Sequence, residues 1–307
     1  MIFLKNGGAE LNRRIREILD DPSRPRTLRV TGCYEIEETV LLPSDFTLIL
    51  EDCRLRMAEG VYCNLFRNQG AGQRLRDRNI RILGLGEAVL DGGPYNGLSE
   101  RNAGQNGLPE IWNNNLILFA NVDGFHIEGL RLENQRWWAV NLLFCRNGTL
   151  RNLDFCADDR RVEEDGSLVP YLSHQGDGYS RCYIHNADGI DLRCGCRDIL
   201  IENISGFTQD DTVALTALPG RLEAVFRPCE DEKDGMDDIC RVTIRNLSCE
   251  SLCSIVRLLN QGGPRLYDIR IDGVRDTSQG SAHMDRGICA VRIGDTGLYG
   301  SRQPAPG

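Results

Sequence analysis

The stretch from Asn186 to Leu215, NADGIDLRCGCRDILIENISGFTQDDTVAL, carries Asp188 near its start and the adjacent pair Asp210 and Asp211 near its end. Three carboxylates held close together repel one another, and the repulsion raises the pKa of at least one of them. A protonated acid beside an ionised carboxylate is the pairing that cleaves glycosidic bonds. One group donates a proton to the leaving oxygen while the other activates water or attacks carbon. Residue types alone leave two other outcomes open. Aspartates are common turn residues that cap strand starts through backbone N–H groups, and clustered aspartates also hold calcium. The choice depends on whether the chain folds so that the three meet.

The elements that must position them recur along the chain. Short β-type runs, each followed by a turn residue, begin at Asn79, Gly124, Gly148, Asp198, Arg241 and Tyr267. Aligned on their Ile/Leu pairs, they place Gly129, Asn152, Asn203, Asn246 and Gly273 at one equivalent position. Gly and Asn tolerate positive φ at low steric cost, so this column predicts one tight bend repeated in successive layers. Where nothing intervenes, the spacing is roughly 23–27 residues, a solenoid period. Each unit holds a second run, among them AVNLLFC after Trp138, GIDLR after Asp188, TVALT after Asp211 and SIVRLL after Cys253. Several short strands per coil without helical periodicity predict an all-β, right-handed parallel β-helix, a solenoid forming one domain over 1–307. In this alignment GIDLR and TVALT are the same strand in consecutive coils, ~4.8 Å apart. Asp188, Asp210 and Asp211 are therefore expected on neighbouring layers of one face.

Leu11, Ile15, Ile18 and Leu19 recur at helical spacing and Pro22 ends the run, so residues 9–21 are expected to form a short capping helix over the first coil. Two polar segments containing Gly and Pro, 157–181 and 218–238, break the coil rhythm on either side of the carboxylate stretch. They are expected to be inserted loops that shape a binding site. The last coil has no visible cap, which leaves it to be covered by the tail or by another subunit of a homo-oligomer.

Composition narrows the partners. The net charge is −9 with no Lys/Arg run, which argues against nucleic acid. A few placed arginines still suffice to bind an anionic sugar locally. No run approaches the ~18–20 apolar residues of a membrane span. Thirteen cysteines without an apolar leader segment indicate reduced, mostly buried side chains in a cytoplasmic chain rather than a disulfide framework. Cys145, Cys156, Cys249 and Cys289 fall inside strand runs. Cys194 and Cys196 form a C-x-C without a second pair, too little for zinc, so no metal is expected.

NADGID and TQDDTVAL, separated by a strand and an asparagine turn, resemble the N-T-D and G/Q-D-D motifs of the polygalacturonase family of glycoside hydrolases. The resemblance extends back through ILGLGEAVLDGG and covers about residues 25–295. It implies a pectin-lyase-like right-handed parallel β-helix and an inverting hydrolase. It also implies that Asp210 is the general acid, that Asp188 and Asp211 hold and activate water, and that Asn186 and Gln209 bind substrate beside them. Inverting geometry asks for ~6.5–9.5 Å between the acid and base carboxyls. The chain departs from the family pattern at two places. The segment aligned with the G-H-G motif reads ESLCSIVRLL and contains no histidine. The R-I-K motif is matched in part by VRIGD, which keeps Arg292 as a substrate contact and has Gly294 where lysine would stand.

Other candidates lie nearby. His185 directly precedes Asn186, and His174 lies in the first inserted segment; either bonds a sugar or tunes an aspartate, or is an ordinary turn histidine. Trp137 and Trp138 precede the strand one coil before Asp188. Adjacent strand residues point to opposite sides, so one is expected in the core and Trp138 on the outside, free to stack on a sugar. Arg136 and Arg257 are candidates for contacting an acidic sugar, with simple solvation the alternative. Together these features predict an exo-acting glycoside hydrolase for oligosaccharides from pectin or a related plant glycan, needing no cofactor. A lyase, epimerase or fructosyltransferase on the same fold is the first alternative, and a non-catalytic glycan-binding or structural β-helix is the second.

Overall fold

The computed structural model describes residues 2–99, 102–158, 160–162, 168–170, 186–218, 223–229, 236–283 and 287–294. Two parallel sheets run the length of this stack. The first pairs the long strands Thr27–Ile36, Phe46–Met57, Asp77–Asp91, Val122–Glu128, Arg146–Cys156, Arg197–Thr208, Ile239–Ser251 and Leu266–Asp276 in sequence order. The second is built from the shorter run of each coil and contains the five strands that bear on the site. These are β1 (Val140–Leu143), β2 (Ile190–Arg193), β3 (Val213–Ala217), β4 (Ser254–Asn260) and β5 (Cys289–Ile293). All pairings within both sheets are parallel, and parallel crossovers of this kind wind right-handed, giving the expected right-handed parallel β-helix.

The predicted bend column is present. Gly129, Asn152, Asn203, Asn246 and Gly273 all have positive φ, between 54° and 72°. Their amides form a ladder, in which Asn203 Nδ2 donates to Asn152 Oδ1 at 3.0 Å and Asn246 Nδ2 donates to Asn203 Oδ1 at 3.2 Å. A second column was not legible in the sequence. A residue just before or within the first three positions of seven of these long strands, Asp45, Asn79, Gly124, Asn147, Asp198, Arg241 or Asp268, also has positive φ. Its mixed residue types hide it, because Asp and Arg do not mark a left-handed position as glycine does.

Inside the coils, alternate strand residues such as Leu48, Ile82, Leu150, Ile190, Leu215 and Val256 stack into one apolar core. Cys145 and Cys249 lie in that core as expected, whereas Cys156 and Cys289 are only half-buried because they sit at strand ends. No disulfide joins the described cysteines. Cys194 and Cys196 belong to different apolar clusters, and each thiol donates to a backbone carbonyl, of Leu218 and Leu142 respectively.

The N-terminal end is closed by α1 (Gly7–Leu19), which starts and ends two residues earlier than the apolar spacing indicated. A side chain at Gly8 would come within 2.3 Å of the Glu38 carbonyl, so only glycine lets the helix start so close to the coil. Leu11, Ile15 and Ile18 cover the core. Asn12 satisfies the edge of the second sheet, accepting from Leu41 N and donating to Thr39 O, both at 2.9 Å. Among the described residues, no helix is long and apolar enough to cross a membrane. The expected inserted loops fall largely outside the described residues. Their described parts are an antiparallel pair, Arg160–Val162 with Leu168–Pro170, and a 3-10 turn at Glu223–Phe226.

One property of the second sheet matters for function. All residues of β1, β2 and β3 are buried, on the outer face as well as the core face. A second apolar layer, including Trp112, Trp137, Trp138, Phe144 and Phe226, covers part of the outside of these coils.

Candidate active site

Asp188 lies just ahead of β2, and Asp210 and Asp211 lie just ahead of β3. Ile190 pairs with Val213, and Val213 pairs with Val256. Asp188, Asp211 and Ser254 therefore stand level on three successive coils, with Asp210 and Cys253 level one residue earlier. Backbone bonds lock the approach, since Gly189 N donates to Asp211 O, Ile190 N to Thr212 O and Thr212 N to Ser254 O, each at 2.9 Å. Thr208 Oγ1 and Ser251 Oγ both donate to the Asp210 carbonyl at 2.8 Å and fix the turn that presents the acid pair.

The three aspartates converge, as the register predicts. Asn186 joins them directly. With its side-chain nitrogen facing the carboxylates, it donates to Asp188 Oδ1 at 2.9 Å and to Asp210 Oδ2 at 3.2 Å. Both carboxylates lie within reach of one nitrogen, which holds Asp188 and Asp210 on one site.

The electrostatics follow from burial. Asp188 is 4% exposed, and desolvation together with Asp191, Asp210 and Asp211 pushes its pKa well above the usual carboxylate range. Desolvation and the adjacent Asp211 push Asp210 up to about 7. Asp211 is also raised by burial, but the Arg257 guanidinium opposes the shift, as do hydrogen bonds from Ser254 and Cys253. Of the three, Asp211 is the carboxylate whose charge the buried Arg257 balances most. Asp210 and Asp188 are the ones pushed further toward the protonated form.

A fourth carboxylate, Asp191, belongs to the cluster and was overlooked in the sequence. It is 1% exposed, its pKa is raised well above normal by burial, and it shares a hydrogen bond with Asp188. The signal was available: with Ile190 and Leu192 in the core, period-2 alternation puts Asp191 and Arg193 on the outer face. Asn141 neighbours Asp191 in register. Both Asn141 amide atoms, Asp191 Oδ2 and Asp211 Oδ1 are buried without a hydrogen-bond partner in the protein. Such atoms are normally satisfied by water or ligand. Arg193 is held by Glu223, with Nε and Nη2 donating to Oε1 at 2.9 and 2.7 Å, which ties the second insertion to the outer face.

Other sequence candidates fare differently. Arg257 is buried beside the acid pair, and Arg292 is its register neighbour on β5 and approaches Cys253 Sγ at 4.0 Å. Trp138 is not free to stack on a sugar. It is 5% exposed, packs against Trp137 and Trp112, and carries the Arg193 guanidinium 4.4 Å over its ring. Both tryptophans are buried because the outside of the coil has its own apolar layer. Gln209 is engaged within the protein: its side-chain nitrogen donates to the carbonyls of Asp158 and Arg160 and anchors the first insertion. Arg136 is 2% exposed and donates to the carbonyls of Val61 and Ala58, so it braces loops instead of waiting for a sugar. His185 and His174 lie outside the described residues. Cys253, in the segment where the family's histidine would fall, was not singled out from the sequence.

A carboxylate cluster on consecutive coils of a parallel β-helix, flanked by arginines, is an arrangement that glycosidic-bond cleavage can use. The family model for glycosyl hydrolases family 28 matches residues 44–230, and the chain belongs to that family. No curated protein matches it in sequence. Solved structures share the fold at low identity. An exopolygalacturonase from Thermotoga maritima is 15% identical with a TM-score of 0.55, covering 94% of this chain and 75% of its own. A family 28 exopolygalacturonase from Yersinia enterocolitica is 14% identical with a TM-score of 0.51, covering 92% and 62%. An iota-carrageenase from A. fortis is 13% identical with a TM-score of 0.50, covering 87% and 56%.

Proposed function

We propose that the protein is a cytoplasmic, exo-acting glycoside hydrolase that cleaves oligosaccharides derived from pectin or a related plant glycan, with inversion at the anomeric carbon. The observation that carries this is the Asn186 bridge between Asp188 and Asp210, with Asp211 level with Asp188 on the next coil. Asp210, with a pKa about 7, donates the proton to the leaving oxygen. Asp211, kept the more ionised by Arg257, takes a proton from water, and Asp188 orients that water. The mechanism needs no cofactor. Arg292 and Arg257 stand side by side on β5 and β4, so Arg257 supplies a second cation for a uronate carboxylate where the family's lysine is absent. Exo action is supported by the names of two solved structures of the same fold, both exopolygalacturonases.

One experiment tests both the reaction and its stereochemistry. Oligogalacturonides and related plant-glycan oligomers are incubated with the protein and with Asp210→Asn, and the first-formed product anomer is read by NMR. Inverted product supports the proposal, retained product overturns the inverting course, and no reducing-end release from any oligomer removes the hydrolase assignment.

A further inference from the structure

The hydrolytic steps use Asp188, Asp210 and Asp211 but leave the Cys253 thiol without a task. Cys253 Sγ and carboxylate oxygens of Asp210 and Asp211 all lie within 4.8 Å of one another. Among the described residues this is the one group of three metal-ligating side chains so gathered. We propose that Asp210, Asp211 and Cys253 form a binding site for a thiophilic divalent cation of the zinc class, and that the bound cation blocks catalysis by occupying the acid.

Three features support this. Asp211 is 7% exposed and its Oδ1 is buried without a hydrogen-bond partner, leaving a desolvated carboxylate oxygen on a member of the group. Burial and the carboxylates of Asp210 and Asp211 push the Cys253 thiol pKa up, so the sulfur keeps its proton until a cation displaces it; Ser254 Oγ approaches the sulfur at 3.7 Å and Arg292 Nη1 at 4.0 Å. Access comes from the side of Asp210 and Cys253, both only half-buried. The donor set selects the metal. One thiolate and two carboxylates match zinc, which takes sulfur at about 2.3 Å and carboxylate oxygen at about 2.0–2.2 Å with a fourth position open. Calcium and magnesium prefer six or more oxygens and gain nothing from sulfur. Binding displaces the thiol proton, and any proton on Asp210, to solvent. With its oxygen on the metal, Asp210 has no proton to donate.

Only the inhibitory consequence rests on the glycosidase assignment; the binding does not. The test therefore begins with binding. Chelator-treated, reduced full-length protein is titrated with cadmium and with zinc. Sulfur-to-cadmium charge transfer is followed in the ultraviolet, and thiol alkylation is mapped by mass spectrometry. The expected result is saturable cadmium binding, protection of Cys253 from alkylation by either metal, and no competition from calcium. Cys253→Ser should remove one site or weaken it by at least ~10–100-fold, and Asp210→Asn should weaken it as well. Cys229→Ser controls for an exposed thiol elsewhere. Alkylation of Cys253 at the same rate with and without metal overturns the proposal in the wild-type protein, whatever the variants do. If oligosaccharide cleavage is observed, micromolar zinc should suppress it and chelator should restore it. Protection of Cys253 without any loss of cleavage overturns the inhibitory part alone.

Discussion

Asp188 and Asp210 come from consecutive coils and share one hydrogen-bond donor, the side-chain nitrogen of Asn186, at 2.9 and 3.2 Å. The shared amide holds two mutually repelling carboxyls at a short separation, which neither their burial nor their charge favours. The arrangement makes the roles of individual groups separable by experiment.

Asp210→Asn removes the proton donor while keeping shape and neutral charge. Turnover on natural oligosaccharides should fall by about 10²–10⁴-fold. An aryl glycoside whose leaving group departs without protonation should lose far less. Equal loss on both substrates would assign Asp210 to something other than acid catalysis.

The alkaline limb of the pH–rate profile, recorded with chelator present, should reflect the same group. An acid works only while protonated, and burial beside Asp211 sets Asp210 to about 7. Turnover should therefore decline as pH rises through about 7. A profile flat to pH 9 would contradict the assignment.

Arg257 opposes the rise in the Asp211 pKa. In Arg257→Met the Asp211 carboxyl should hold its proton to higher pH, moving the acidic limb of the profile upward. The KM for a uronate substrate should rise in the same variant. Arg292→Met, farther from Asp211, should change KM without moving that limb.

The stability contributed by Asp188 and Asp191 should fall as pH rises through the acid range. Asp188 and Asp191 have folded pKa values well above those of an unfolded aspartate. From about pH 4 upward the folded chain keeps protons that the unfolded chain releases, so stability declines until the folded groups ionise. Asp188→Asn mimics the protonated form. It should raise Tm by about 2–4 °C at pH 7 and leave it nearly unchanged at pH 4, measured by calorimetry.

Asn203 sits at φ 56° in the amide ladder, bonded to Asn152 and Asn246. Asn203→Ala should cost about 1–2 kcal/mol from the left-handed backbone alone. Asn203→Gly should retain most of the stability. Urea midpoints at constant slope report the difference.

The scaffold was legible because its signals are local and repeated. Asn152, Asn203 and Asn246 mark one bend whatever lies around them, and the Ile and Leu of each run face inward by simple alternation. The convergence of Asp188 with Asp210 and Asp211 followed from that register. The outer face was not legible in the same way. Trp138 and Gln209 occupy positions where substrate contact was expected, yet Trp138 is capped by Arg193 and Gln209 holds the carbonyls of Asp158 and Arg160.

By itself, the sequence determined the stacked coils, the capping helix and the three acids on adjacent layers, because strand period and turn chemistry act within a few residues. Only the tertiary structure decided that Asp191 and Cys253 join those acids and that Arg257, buried beside Asp211, balances charge there. It also decided that the tryptophans are shut away. Those outcomes depend on which distant segments cover the outer face, and therefore on desolvation and contacts that no local pattern encodes.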